Sequence, residues 1–172
     1  MNTATAPHLK IPVGIVVERA KAASPWIDYL WRPVAALAGE PDTAPWTKLT
    51  GDNERATFYA GRVDIALHAA DTGSYRDNLA HRSPSLWVVL RPIESDPPYE
   101  LFVVTADPSE GEAMTEAGSN IVEPVPMPEP IREIVAAFVA EHHVERQFFK
   151  RKRERANPEA LARRRGYGDH GE

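Results

Sequence analysis

The stretch "PEPIREIVAAFVAEHHVERQFF", Pro128 to Phe149, decides how the rest of the chain is read. Ile131, Ile134, Val135, Phe138, Val139 and His142 recur at the spacing of one helical face, while Arg132, Glu133 and Glu141 fall away from it. Phe149 continues the same spacing, so the helix is expected to run on through Phe148 and Phe149. A helix with so clear an apolar stripe needs a surface to lie on. Most of the chain upstream of it reads as strand.

In "KIPVGIVVER", Lys10 to Arg19, the residues Ile11, Val13, Ile15 and Val17 alternate with Pro12, Gly14, Val16 and Glu18. That is the period of a strand with one buried face, and Pro12 suits a strand beginning or an edge. "YLWRPVAAL" reads as a second strand. "ERATFYAGRVDIALHAA" holds two extended pieces that would form a tight hairpin about Ala60 and Gly61. "DTGSYRDNLA" carries turn residues and could make one helical turn. "SLWVVLRPI" and "YELFVVTAD" form a hairpin across "ESDPP", and apolar residues on both faces of the first mark it as a central strand. "DPSEGEAMTEAG" predicts a short helix with Asp107 as N-cap, Pro108 at its first position and Gly118 past its end. Strands first and helices last give an α+β protein. The expected architecture is a curled, mainly antiparallel sheet or a small barrel packed by a C-terminal helix. A pleckstrin-homology-like barrel is a topological analogy compatible with that order.

The chain has 172 residues, 42% of them hydrophobic, enough for one domain with a sizeable core. The divisions expected are a flexible N-terminus over 1–9, a single domain over 10–149 and an arm over 150–172. With no cysteine, disulfides, thiolate metal sites and cysteine nucleophiles are excluded. The apolar run from Ile11 to Val17 is short, is interrupted by Pro12 and Gly14 and lacks a basic start, unlike a signal peptide. No membrane-length apolar run occurs, and a cytoplasmic protein is expected.

Charge is unevenly shared. Between Arg146 and Arg165 lie nine cations, among them Lys150, Arg151, Lys152, Arg153, Arg155, Arg163, Arg164 and Arg165, against Glu154 and Glu159 only. The preceding part of the chain is acidic, and the formal net charge is −5. Such asymmetry speaks to partners and not to fold. Three readings of the arm stand, in this order: a solvated tail with a transient acidic partner, a specific protein dock, and nucleic-acid binding. The last is disfavoured because the acidic body repels phosphate and the neighbouring Phe148 and Phe149 extend a helix face. "NPEALARRRG" could form a short helix on a partner.

No nucleophile elbow, phosphate loop, dinucleotide fingerprint, zinc-helix or calcium-loop motif is present. The histidines at 8, 68, 81, 142, 143 and 170 include no i, i+4 pair. His142 reads as a core-edge residue and His143 as solvated. No catalytic residue, metal site or cofactor is assigned. The densest polar cluster, "DTGSYRDNLAHR", offers Tyr75, Arg76, Asp77, His81 and Arg82 as a ligand loop, though the same residue types also serve as turn formers. The carboxylates of "SEGE" are explained by a helix start. Trp26 and Trp31, in "SPWIDYLWRP", are either core fillers or anchors for a partner.

The runs "IPVGIVVER", "SPWIDYLWRPVAALAG", "ATFYAG", "YRDNL", "PSLWVVLRP", "VTADPSEGEAM" and "HVERQFFKRKRERANPEALAR" together resemble a bacterial family, domain of unknown function 3305, from about Lys10 to Arg164. The resemblance implies a place among genes for molybdenum-dependent formate dehydrogenase and its maturation. Some members of that family carry the name molybdopterin-guanine dinucleotide biosynthesis protein. A nucleotidyltransferase of that kind would need a glycine-rich phosphate loop and acidic magnesium ligands, and this chain has neither. The expectation is a non-enzymatic accessory or assembly protein that binds a formate dehydrogenase subunit or maturation factor. The alternatives are a pterin- or nucleotide-binding module or enzyme using the 71–82 loop, and nucleic-acid binding through the arm.

Overall fold

The structure is a computed structural model and describes residues 8–143, except 40 and 117. In chain order it comprises β1 (Leu9–Lys21), β2 (Tyr29–Ala38), β3 (Thr47–Gly51), β4 (Arg55–Leu67), a 3₁₀ turn (Ala69–Asp71), α1 (Thr72–Ala80), β5 (Ser85–Pro92), β6 (Tyr99–Thr105), α2 (Pro108–Thr115), β7 (Ile121–Pro126) and α3 (Glu129–His142). The class is α+β. The strands form two antiparallel sheets, ordered β2-β1-β4-β3 and β6-β5-β7.

β4 approaches β6, and β2 approaches β7, so six strands surround the core. No ladder joins the sheets at either seam among the described residues, which corrects the expectation of a small, pleckstrin-homology-like barrel. The physical cause is at the edges. β2 carries Pro33 and β7 carries Pro124 and Pro126, positions that cannot donate to a ladder. At the other seam, β3 already pairs with β4 from Ala56 to Tyr59 and occupies that edge.

Ile11, Val13, Ile15 and Val17 are all buried, as their alternation requires. They pack with Ile65 and Leu67 of β4, Leu86, Val88 and Leu90 of β5, and Ile131, Val135, Phe138 and Val139 of α3. Each such side chain contributes about 1.5–3 kcal/mol when fully buried. Ile134 is the exception on the helix stripe and stays exposed. β1 is a central strand, yet β2 begins to pair only at Val13, so Pro12 faces a neighbour on the β4 side alone.

Two expectations change. The segment about Ala60 and Gly61 is one continuous strand and not a hairpin: Ile15 pairs with Gly61 and Val16 with Tyr59, leaving Ala60 as a bulge, with Gly61 at φ 131°. The hairpin lies upstream between β3 and β4, where the backbone N–H groups of Glu54 and Arg55 donate to Asp52 Oδ1 (2.9 and 3.1 Å) and hold that carboxyl below its ordinary range. "TGSYRDNLA" forms the full helix α1 and not a loop, because Tyr75 and Asn78 anchor it to the core. Helix α3 ends at His142, with His143 in extended conformation as its cap. The expected continuation to Phe149, the arm from 150 and residues 1–7 lie outside the described residues.

Candidate functional site

Helix geometry separates the five residues proposed for the ligand loop. Tyr75 points into the core, 1% exposed, and its phenol oxygen accepts the His68 backbone N–H at 3.0 Å. Burial pushes the phenol up to about 12, so it is neutral and structural. Arg76 Nη1 reaches His143 Nε2 at 3.2 Å, and His143 Nδ1 lies 3.1 Å from Thr72 Oγ1. A guanidinium can only donate, so Nε2 accepts and Nδ1 carries the proton toward Thr72, whose hydroxyl passes a bond on to Ala69 O (3.0 Å). His143 is therefore held between α1 and the end of α3, and not solvated as the sequence suggested.

Asp77 and His81, four residues apart, share a different face and line a pocket of about 350 Å³ with Asn78, Ser83, Trp87 and Pro108. Arg82 is exposed. Arg76 does not line this pocket with Asp77 and His81, since adjacent helix positions project about 100° apart. Ser83 N–H donates to His81 Nδ1 (3.2 Å), which puts the proton on Nε2, the reverse of the arrangement a hydroxyl-activating base needs. Asn78 forms the pocket floor, donating to Ser85 O (2.8 Å) and Ala106 O (2.9 Å) and accepting from Ser85 N (3.1 Å).

The tryptophans part company. Trp26 is 91% exposed on the β1–β2 link, next to Ile27 (51%) in an apolar tip, and Leu30 (58%) is exposed at the start of β2. Trp31 packs edge-on against Trp46, ring centres 5.9 Å apart, and lies against the core. Beside the tip, a cleft of about 510 Å³ opens between the β1–β2 hairpin and the β5–β6 turn, lined by Arg19, Ile27, Asp28, Trp31, Asp96 and Tyr99 among others. Arg19 was not singled out in the sequence, although it extends the alternation of Ile11, Val13, Ile15 and Val17 by one more step. Its guanidinium carbon sits 4.4 Å from the Tyr29 ring centre, 5.1 Å from that of Phe58 and 5.9 Å from that of Trp31.

Among the described residues, no group of three or more His, Asp or Glu could hold a metal ion. Glu110 accepts from Thr105 Oγ1 (2.8 Å), and Asp107 caps α2 through Ser109 N (2.9 Å). No described helix is long and apolar enough to cross a membrane. The cationic residues from Lys150 to Arg165 lie outside the described part.

Residues 12–153 match the family described as "Protein of unknown function (DUF3305)", and the chain belongs to that family. Comparison with curated proteins and with solved structures returns no match.

Proposed function

We propose that this member of the family is a non-enzymatic accessory or assembly protein of the cytoplasm, acting by protein–protein contact in a molybdenum-dependent formate dehydrogenase system. The observation that carries the protein-binding part is the exposed apolar tip of Trp26 and Ile27. A tryptophan that exposed on a short link costs solubility and contributes nothing to the core, and tryptophan is the side chain most enriched at interface hot spots. The formate dehydrogenase assignment rests on the family resemblance alone. The basic stretch from Lys150 to Arg165 supplies a second, electrostatic contact in the same reading.

The test is a pull-down with the full-length protein from cells expressing the dehydrogenase and its maturation proteins, repeated with Trp26→Ala. Capture by the wild-type chain and loss with the variant is the expected result. Failure to retain any of these proteins, with formate dehydrogenase activity unchanged after deletion of the gene, overturns it.

A second reading, small-molecule binding, is favoured by one observation, the shared pocket of Asp77, His81 and Trp87. Thermal stabilisation by a pterin or nucleotide, abolished by His81→Ala, would put it first.

A further inference from the structure

We infer that the cleft beside the hairpin tip takes the free C-terminal carboxylate of a partner polypeptide ending in an apolar residue, with Arg19 as its anchor. The inference rests on the protein-binding reading and gives it a chemical target. It starts from a charge in an unusual place. Ile11, Val13, Ile15 and Val17 form the inward row of β1, and the next residue in that row is an arginine. Tyr29 and Trp31 on β2 and Phe58 on β4 flank it from the two neighbouring strands and hold its guanidinium by their ring faces.

Those rings orient the cation without satisfying it. Arg19 Nε is buried with no hydrogen-bond partner. No carboxylate pairs with Arg19 among the described residues; its neighbour Glu18 bridges Arg32 and Arg55, each at 3.5 Å. A planar fork of donors, desolvated on one side and fixed by stacking, is prepared for a carboxylate. The cost of ordering its long side chain has been met in the folded protein, which is where preorganised sites gain affinity.

Two further features select among carboxylates. Asp28 and Asp96 line the same cleft, so a multiply charged anion such as phosphate meets stronger repulsion there than a ligand bringing one negative charge and N–H donors. A peptide terminus has that pattern: the carboxylate for Arg19 and backbone N–H groups for the aspartates. The cleft is also continuous with the exposed tip, since Ile27 belongs to both. A small acid would fill the cleft and leave Trp26 bare; a polypeptide covers it. The last apolar side chain would sit against Trp31 and Tyr99.

The probes are acetyl-triglycyl-leucyl-phenylalanine and acetyl-triglycyl-valyl-leucine, each as free acid and as C-terminal amide, with phenyl phosphate as a third arm. Binding to the full-length protein is followed by tryptophan fluorescence and by amide chemical shifts. The free acids are expected to bind saturably, the amides about tenfold or more weaker, and phenyl phosphate weaker still; Arg19→Gln should lose the acid–amide difference. Equal binding of acid and amide, no binding of either acid at millimolar concentration, or phenyl phosphate binding as well as the acids would each overturn the inference. The acid–amide comparison uses the wild-type chain, so it stands even where Arg19→Gln fails to fold. Should the acid–amide difference be absent while Trp26→Ala still abolishes capture of a dehydrogenase component, the carboxylate site is wrong and the docking tip survives. An acid–amide difference together with no capture of any dehydrogenase component by the wild-type chain removes the dehydrogenase reading and leaves the site.

Discussion

Gly111 of α2 lies so close to the Trp87 indole that a Cβ built on it would stand 2.5 Å from Trp87 Cγ and 2.6 Å from Trp87 Cβ. These atoms are the root of the side chain and cannot swing aside. The glycine thus sets how tightly α2 docks on β5, and it fixes one wall of the pocket shared by Asp77 and His81.

Gly111→Ala would ordinarily stabilise a helix interior by about 1 kcal/mol. Here overpacking against Trp87 should win, giving a net loss of about 1–3 kcal/mol in urea unfolding and a changed Trp87 emission. A variant as stable as wild type would show that α2 is free to shift.

Asn78 holds β5 and the end of β6 to α1 by three bonds to backbone groups of Ser85 and Ala106. Asn78→Asp turns its two-proton donor into an acceptor facing two carbonyl oxygens. We expect a loss of about 2–4 kcal/mol at neutral pH, partly recovered in acid as the new carboxyl takes up a proton. Stability equal to wild type at neutral pH would contradict that role.

Much of this was visible in the chain, and the failures share a cause. The alternation in β1, the two-faced β5, the Asp107–Pro108 helix start and the stripe of α3 are local patterns, and each forms where expected. Strand β7 was invisible because Pro124 and Pro126 speak against a strand until one knows that it is an edge. Gly61 marks a turn or a bulge equally well, and only the partner strand decides. Arg19 was not singled out because its facing inward among three rings depends on the register of β2 and β4 against β1. Arg76, Asp77 and His81 looked like one cluster for want of a helical twist to part them.

Tyr75 makes stability depend on alkaline pH. Its phenol, raised from 10.0 to about 12 chiefly by burial, stays neutral in the folded state while the unfolded chain ionises first. The unfolded state therefore loses its proton from about pH 10 upward, and folding stability is complete below that pH. It should fall by up to about 1.4 kcal/mol per unit until the folded phenol titrates near pH 12. Tyr75→Phe should remove the part of the alkaline loss due to this phenol, at a cost of about 1 kcal/mol near neutrality for the lost bond from His68 N–H. Urea melts of both proteins across this range give the comparison; parallel curves would mean the phenol is not the titrating group.

Under the proposed reading, the apolar tip and the basic stretch from Lys150 to Arg165 contribute separately to partner binding, and their variants should fail in different ways. Trp26→Ala removes a side chain that touches little of its own protein, so unfolding should change by less than about 0.5 kcal/mol. If the tip is an anchor, partner affinity should drop by about 2 kcal/mol or more, mainly through faster dissociation, and the loss should be nearly independent of salt. A chain ending at Phe149 lacks the cations from Lys150 to Arg165, while every core residue among the described ones lies before that point. It should keep the wild-type melting temperature and associate more slowly, and only the full-length chain should weaken steeply with salt, because charges beyond a screening length of about 10 Å at 0.1 M cease to steer. Unfolding of the shortened chain would make the arm structural. Tight duplex binding by the full-length protein, with a strong salt slope that vanishes on truncation, would identify the arm's target as nucleic acid and leave the tip to account for any protein partner.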